Sequence, residues 1–153
     1  MDGSSLGNPG VAASAGIFRN HNGASLGCFA SNIGIATAFF AEFMGIILAI
    51  ECAYVGNWKQ LWIESDSKLA ILAYRNQKII HWQLQNRWSN CLLKIIDMNV
   101  IVSHVYKEGN SFADKLSKLG LNVNDFTWWS SSLSSIRLDL ARNRNGLPYY
   151  RFC

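Results

Sequence analysis

Proline is almost absent, with two residues in a chain of 153. Together with twelve glycines that follow no period, this excludes collagen-like and proline-rich low-complexity architectures. Cysteine is also sparse. Cys28, Cys52, Cys91 and Cys153 are widely scattered and form no CxxC pair, which supports neither a disulfide framework nor a zinc site. Long apolar runs are missing: Ala36 to Ala41 and Met44 to Ile50 fall far short of the roughly 18 to 20 residues that span a bilayer. No charged-then-apolar leader opens the sequence. These absences lead us to expect a soluble chain in a reducing, intracellular setting, nuclear or cytoplasmic, without membrane contact.

What is present suffices for one core. Half of the residues are hydrophobic and 16% are charged, so a disordered chain is not expected. The net charge of +4 allows a nucleic-acid partner without demanding one.

The order of elements is legible from periodicity. Gly3 to Gly10 reads as a loop after a strand stub. Val11 to Phe18 and Ala24 to Ile33 read as a hairpin around Asn22-Gly23, a pair that favours the positive backbone angles of a tight reversal. From Ala41 to Val55 the spacing of Phe43, Ile46, Ile47, Ile50 and Tyr54 predicts an amphipathic helix that ends near Gly56-Asn57, with Glu42 in its first turn. Leu61 to Glu64 predicts a short strand, and Ser65-Asp66-Ser67 caps a helix over Lys68 to Tyr74. A further helix is expected from Trp82 to Ile96, a strand over Val100 to Val105, and a helix opened by Ser111-Phe112-Ala113-Asp114 and ended by Gly120. This pattern is an α/β fold, a mixed sheet covered by helices. Residues 1–122 form the domain. Residues 123–153, too few to bury a core of their own, are expected to be a C-terminal extension packed on it.

Asp2, Glu42, Asp66 and Asp114 stand at the ends of four different elements. Singly, each has a structural explanation: a turn, a charge at a helix start, a helix cap, and the acidic end of a capping box with Ser111. Together they suggest more, because converging carboxylates repel one another unless divalent cations sit among them. Magnesium prefers oxygen ligands, and two ions can activate a water and stabilise the leaving oxygen of a phosphodiester.

Asp2-Gly3-Ser4-Ser5-Leu6-Gly7-Asn8-Pro9-Gly10, Ala41-Glu42, Glu64-Ser65-Asp66-Ser67 and Glu108-Gly109-Asn110-Ser111-Phe112-Ala113-Asp114 together resemble the ribonuclease H (RNase H) domain. The similarity is greatest to the retroelement-like, reverse transcriptase-like branch abundant in plant genomes. Trp82 to Trp88 and Gly146 to Phe152 are similar to that branch too. The resemblance implies a five-stranded mixed sheet, three strands antiparallel and two parallel, flanked by helices. It implies hydrolysis of the RNA strand of RNA–DNA hybrids with two Mg2+ ions, or Mn2+, held by Asp2, Glu42, Asp66 and Asp114. Asp2 would bridge both ions, Glu42 and Asp66 would hold the one beside the nucleophilic water, and Asp114 would complete the other. Gly3, Ser4 and Asn8 are candidate strand contacts. A monomer without small-molecule cofactor is expected. The alternative is a noncatalytic nucleic-acid-binding or structural relic of a retroelement.

The sequence also departs from the family pattern. Lys107-Glu108-Gly109-Asn110 fills the loop that usually carries a catalytic histidine, which makes Glu108 and Lys107 candidates for proton transfer or product release. His104 falls inside a predicted strand, where a packing or hydrogen-bonding role is expected. Ala38 and Lys68 stand where classical members carry amides that read the hybrid; at Lys68, charge would replace amide geometry. Only Met1 precedes Asp2, so half of the family's first strand is missing. Either the chain is a fragment of a longer polyprotein or has a misplaced start, or another segment covers the exposed sheet groups. Lys68, Arg75, Lys78, Arg87 and Lys94 follow one another with no acid between, which predicts a basic flank. Trp62, Trp82 and Trp88 are assigned to buried faces, Cys91 to a helix core, and Cys153 to an exposed position.

Overall fold

The computed structural model describes residues 2–7, 9–22, 25–105, 121, 126–130 and 151–152. Strand β1 (Asp2–Gly7) pairs antiparallel with β2 (Gly10–Asn20), from Asp2 opposite Ala15 to Gly7 opposite Gly10. The loop expected over Gly3 to Gly10 is therefore mostly strand: the small residues Val11 to Ala15 accept a close neighbour, and reversal is confined to the few residues between Gly7 and Gly10. Strand β2 pairs antiparallel with β3 (Ser25–Ala36). At the reversal between them, the Asn20 side chain accepts a hydrogen bond from the Asn22 amide. Every residue of β2 from Ala12 to Arg19 is buried, so both faces of the strand are covered.

Helix α1 (Ala38–Val55) starts three residues earlier than the spacing predicts, because Thr37 caps it by accepting a hydrogen bond from the Phe40 amide. Glu42 consequently lies in the second turn, away from the orphan amides of the first. The helix ends where expected, although Asn57, with φ of 58°, takes the left-handed position rather than Gly56. The Trp58 amide reaches back to the Ala53 carbonyl, and the Trp58 ring lies against Gly56 so closely that a Cβ there would stand 3.1 Å from it. By length and composition α1 is apolar enough to cross a bilayer, yet 56% of it is buried inside the molecule, as befits the core helix of the domain.

Strand β4 (Gln60–Ser65) leads to α2 (Lys68–Arg75), capped by the Ser67 hydroxyl. Two short 3-10 turns follow, then α3 (Gln85–Ile95), and β5 (Asn99–His104) lies parallel to β4. The helix expected from Trp82 to Ile96 thus begins at Gln85. Trp82 sits in the preceding turn and is 74% exposed rather than buried. Trp88 is buried, and Trp62 is half-buried with its Nε1 donating to Ser103 Oγ at 2.6 Å. Phe43 and Tyr74 meet Trp88 edge-on at 5.2 and 5.6 Å, joining α1, α2 and α3 in one core.

The three antiparallel and two parallel strands agree with the expected mixed sheet. Two more strands come from beyond residue 122, which raises the number among the described residues from five to seven. Strand β6 (Phe126–Ser130) extends the sheet by pairing antiparallel with β3. Strand β7 (Arg151–Phe152) lies inside it, parallel to β2 and antiparallel to β4. The path runs β5-β4-β7-β2-β3-β6, with β1 beside β2. Trp128 of β6 packs its ring on Phe18 and Trp58 at 5.6 and 6.5 Å, so it belongs to the sheet face more than to solvent.

Candidate active site

Glu42 is 7% exposed although it carries a carboxyl group. Its place is set by α1, which packs on β1 and β2, and by one buried hydrogen bond: Ser14 Oγ donates to the carbonyl of Ala41 at 2.6 Å. Ser14 stands opposite Gly3 in the β1–β2 ladder, and Asp2 opposite Ala15. One hydroxyl therefore ties the turn of α1 that carries Glu42 to the strand segment opposite Asp2.

Asp66 follows the last residue of β4 and precedes the cap of α2, where it is half-buried. The backbone here is fixed on both sides. Ser65, fully buried, accepts the Ser67 amide through Oγ and the Val105 amide through its carbonyl, at 3.1 and 2.9 Å. Asp66 thus sits at the carboxyl end of a parallel strand, where open α/β sheets gather functional groups. Lys68, two residues on, is exposed at the start of α2.

Asp114, Asn8, Lys107 and Glu108 lie outside the described residues, and for Asp2, Gly3 and Ser4 the description covers the backbone. Among the described residues no group of three or more His, Cys, Asp or Glu side chains lies close enough to hold a metal ion. The expected ligands that are described, Glu42 and Asp66, offer oxygen only, and an all-oxygen donor set fits a hard divalent cation. His104 is the last residue of β5, opposite Ser65, and is exposed. Its exposure goes against burial in the core, the packing half of the expected packing or hydrogen-bonding role; it stands at the same end of the parallel pair as Asp66.

The expected basic flank is narrower than the sequence suggests. Arg87 turns to α1 and makes a two-pronged ion pair with Glu51, at 2.6 and 3.0 Å, and that hydrogen bonding raises its already high pKa. Lys94 lies 5.7 Å from the centre of the Tyr54 ring. Lys68, Arg75 and Lys78 remain exposed on and after α2. A few residues on in the sequence, the ring of Trp82 stacks on His81 at 5.8 Å, and His81 in turn meets Phe40 edge-on at 5.3 Å. The helical period of Trp82 to Ile96 hid this exposed aromatic, whose signal was its polar neighbours His81, Gln83, Gln85 and Asn86.

A pocket of about 970 Å³ opens elsewhere, between β3, β6 and α1, lined by Phe40, Met44, Leu48, Phe126 and Trp128 with the Glu51–Arg87 pair. Of the expected metal ligands whose side chains are described, neither Glu42 nor Asp66 lines it.

Comparison with known proteins decides the family. The sequence pattern of a family described as reverse transcriptase-like matches residues 1–120. The chain belongs to this family. It is an RNase H domain of the retroelement-like branch. The solved structure of RNase H1 from the halophilic archaeon Halobacterium salinarum is similar to it, with 25% identity, a TM-score of 0.70, and coverage of 79% of this chain and 93% of that one. An RNase H1 isolated from compost and solved with an RNA/DNA hybrid gives 23% identity, a TM-score of 0.70 and the same coverage. The N-terminal RNase H domain of a Mycobacterium tuberculosis protein gives 24% and 0.68, over 79% of this chain and 89% of that one. A search of curated proteins finds no match.

Proposed function

We propose that this RNase H domain is a metal-dependent endonuclease that hydrolyses the RNA strand of RNA–DNA hybrids. The observation that carries the reading is the placement of two acids: Glu42, buried on the helix that packs on β1, and Asp66, at the carboxyl end of β4. A relative of the same fold has been solved with an RNA/DNA hybrid, and this supports the substrate class.

Asp2, Glu42, Asp66 and Asp114 would hold two Mg2+ or Mn2+ ions. Bound there, such ions supply an activated water and charge stabilisation at the leaving oxygen. The protein's part is to keep the carboxylates in place. Ser14 holds the Glu42 turn against β2, and the Ser65 backbone and hydroxyl fix the bend that presents Asp66. Gly3, Ser4 and Asn8 would contact a nucleic-acid strand, Lys68 would attract its phosphates, and Glu108, with Lys107, would assist proton transfer or product release. Glu108 is the better proton acceptor of the two, since a lysine ordinarily titrates near 10.4.

A labelled hybrid incubated with Mg2+ tests this, beside a binding assay in Ca2+. Cleavage is expected from the parent, and Asp66→Asn should lower it by at least 100-fold while hybrid binding stays within about twofold. Binding without cleavage by the parent would assign the domain to the noncatalytic alternative.

A further inference from the structure

Strand β2 has two flanks. One is filled by β3, which pairs with it from Gly10 opposite Ala36 to Arg19 opposite Ser25. The other is shared by two segments from distant parts of the sequence: β1 covers Gly10 to Ala15, and β7 covers Arg19 and Asn20. They lie along one track, separated by the length of Gly16, Ile17 and Phe18, roughly 10 Å of strand.

On its far side β7 meets β4, with Arg151 opposite Trp62. Among the described residues, this two-residue strand is the only ladder that joins the β4–β5 pair to the rest of the sheet. The division runs between the proposed ligands: Asp2 belongs to β1 on one side, and Asp66 follows β4 on the other. A backbone inserted between β2 and β4 keeps these strands two strand spacings apart, about 9.5 Å.

We infer that Arg151 and Phe152 are a latch strand, a positioning element that closes the sheet and sets the spacing of the two acid-bearing halves. The site it serves is the one proposed above, so the functional part of this inference rests on that reading, and the sheet closure does not. The track takes an extended backbone by main-chain pairing, a mode indifferent to most side chains. Residues joined ahead of Met1 that continued β1 would run along the same track and compete with the latch.

Five proteins test this: the full chain, a variant lacking residues 146–153, Arg151→Pro, and each of the first two with five β-branched residues joined ahead of Met1. Proline removes a ladder donor and is not accommodated in an internal strand, so Arg151→Pro opens the latch with the chain otherwise whole. Amide hydrogen exchange and melting temperature are followed with and without Mg2+, and hybrid cleavage is measured in parallel. Deletion and Arg151→Pro should each speed exchange at the β2 and β4 amides around Arg19, Asn20 and Trp62 by at least tenfold. Each should also lower the melting temperature by several degrees and raise the Mg2+ concentration for half-maximal cleavage. The extension should restore the deleted variant and change the full chain little. Unchanged exchange and melting after both latch variants would overturn the inference, as would an extension that stabilises both backgrounds equally. A full chain that never cleaves, with the exchange pattern as expected, would sink the proposed activity and leave the latch standing.

Discussion

Ser14 shows how one small side chain can set a site. It is fully buried in β2, and its hydroxyl donates across 27 residues of sequence to the Ala41 carbonyl, next to Glu42. Ser14→Ala removes one oxygen and leaves that carbonyl its helical partner, so the expected cost is that of one hydrogen bond, about 1 kcal/mol. A urea titration should show a lower midpoint with an unchanged slope, and thermal melting should fall by about 2–4 °C for a domain of this size. If both stay at parental values, the hydroxyl does not clamp α1 to β2. The sequence announced neither Ser14 nor its role, because a serine in a run of small strand residues carries no local sign of a partner 27 positions away. Glu42 and Asp66, by contrast, were legible as acids beside element boundaries, and the structure gives each a defined place: one in a buried helix turn, the other at a strand end.

At the scale of elements, periodicity located α1, α2, β4 and β5 to within a few residues, since burial repeats are written directly into the chain. It failed where the decisive feature was not periodic. Strand β3 carries a bulge: Ala12 faces Gly34 and Ala13 faces Asn32, Gly34 takes a φ of 81°, and its amide donates to the Asn32 side chain. This shift leaves no trace in hydropathy. The segment between α2 and α3 failed for the opposite reason, because Trp82 fits the helical period of α3 without belonging to the helix. Its exposure, shortly after the exposed Arg75 and Lys78 in the sequence, yields a prediction. Trp82→Ala should weaken binding of an RNA–DNA hybrid in Ca2+ by about threefold to tenfold, with stability within about 0.5 kcal/mol of the parent, as for other surface substitutions. Lys78→Ala should weaken binding as well and flatten its dependence on log salt by about one unit, the mark of one lost phosphate contact. Parental affinities for both variants would place the nucleic acid elsewhere.

Over the whole molecule, the sequence suggested the five-stranded sheet but not its two added strands, because pairing of Phe126–Ser130 with β3 and of Arg151–Phe152 with β2 and β4 depends on contacts between residues 89 to 132 positions apart. The same closure buries thiols on several elements. Cys28 of β3, Cys52 of α1 and Cys91 of α3 all have pKa values pushed up to about 12 from an ordinary 9.0, chiefly by burial, with Glu51 adding repulsion at Cys52 and Cys91. The folded state therefore holds these protons more tightly than the unfolded state does. Below about pH 9 both states keep them and stability is independent of the thiols; between about 9 and 12 the unfolded chain releases them first, so stability falls as pH rises. Tyr74, also raised by burial, contributes with the same sign. Denaturant midpoints measured across this range should be flat to about pH 9 and then decline. A variant with Cys28, Cys52 and Cys91 all replaced by alanine should start from a lower midpoint, since buried volume is lost, and decline less steeply. Equal slopes for parent and variant would show that the thiols are not the groups that couple this fold to alkaline pH.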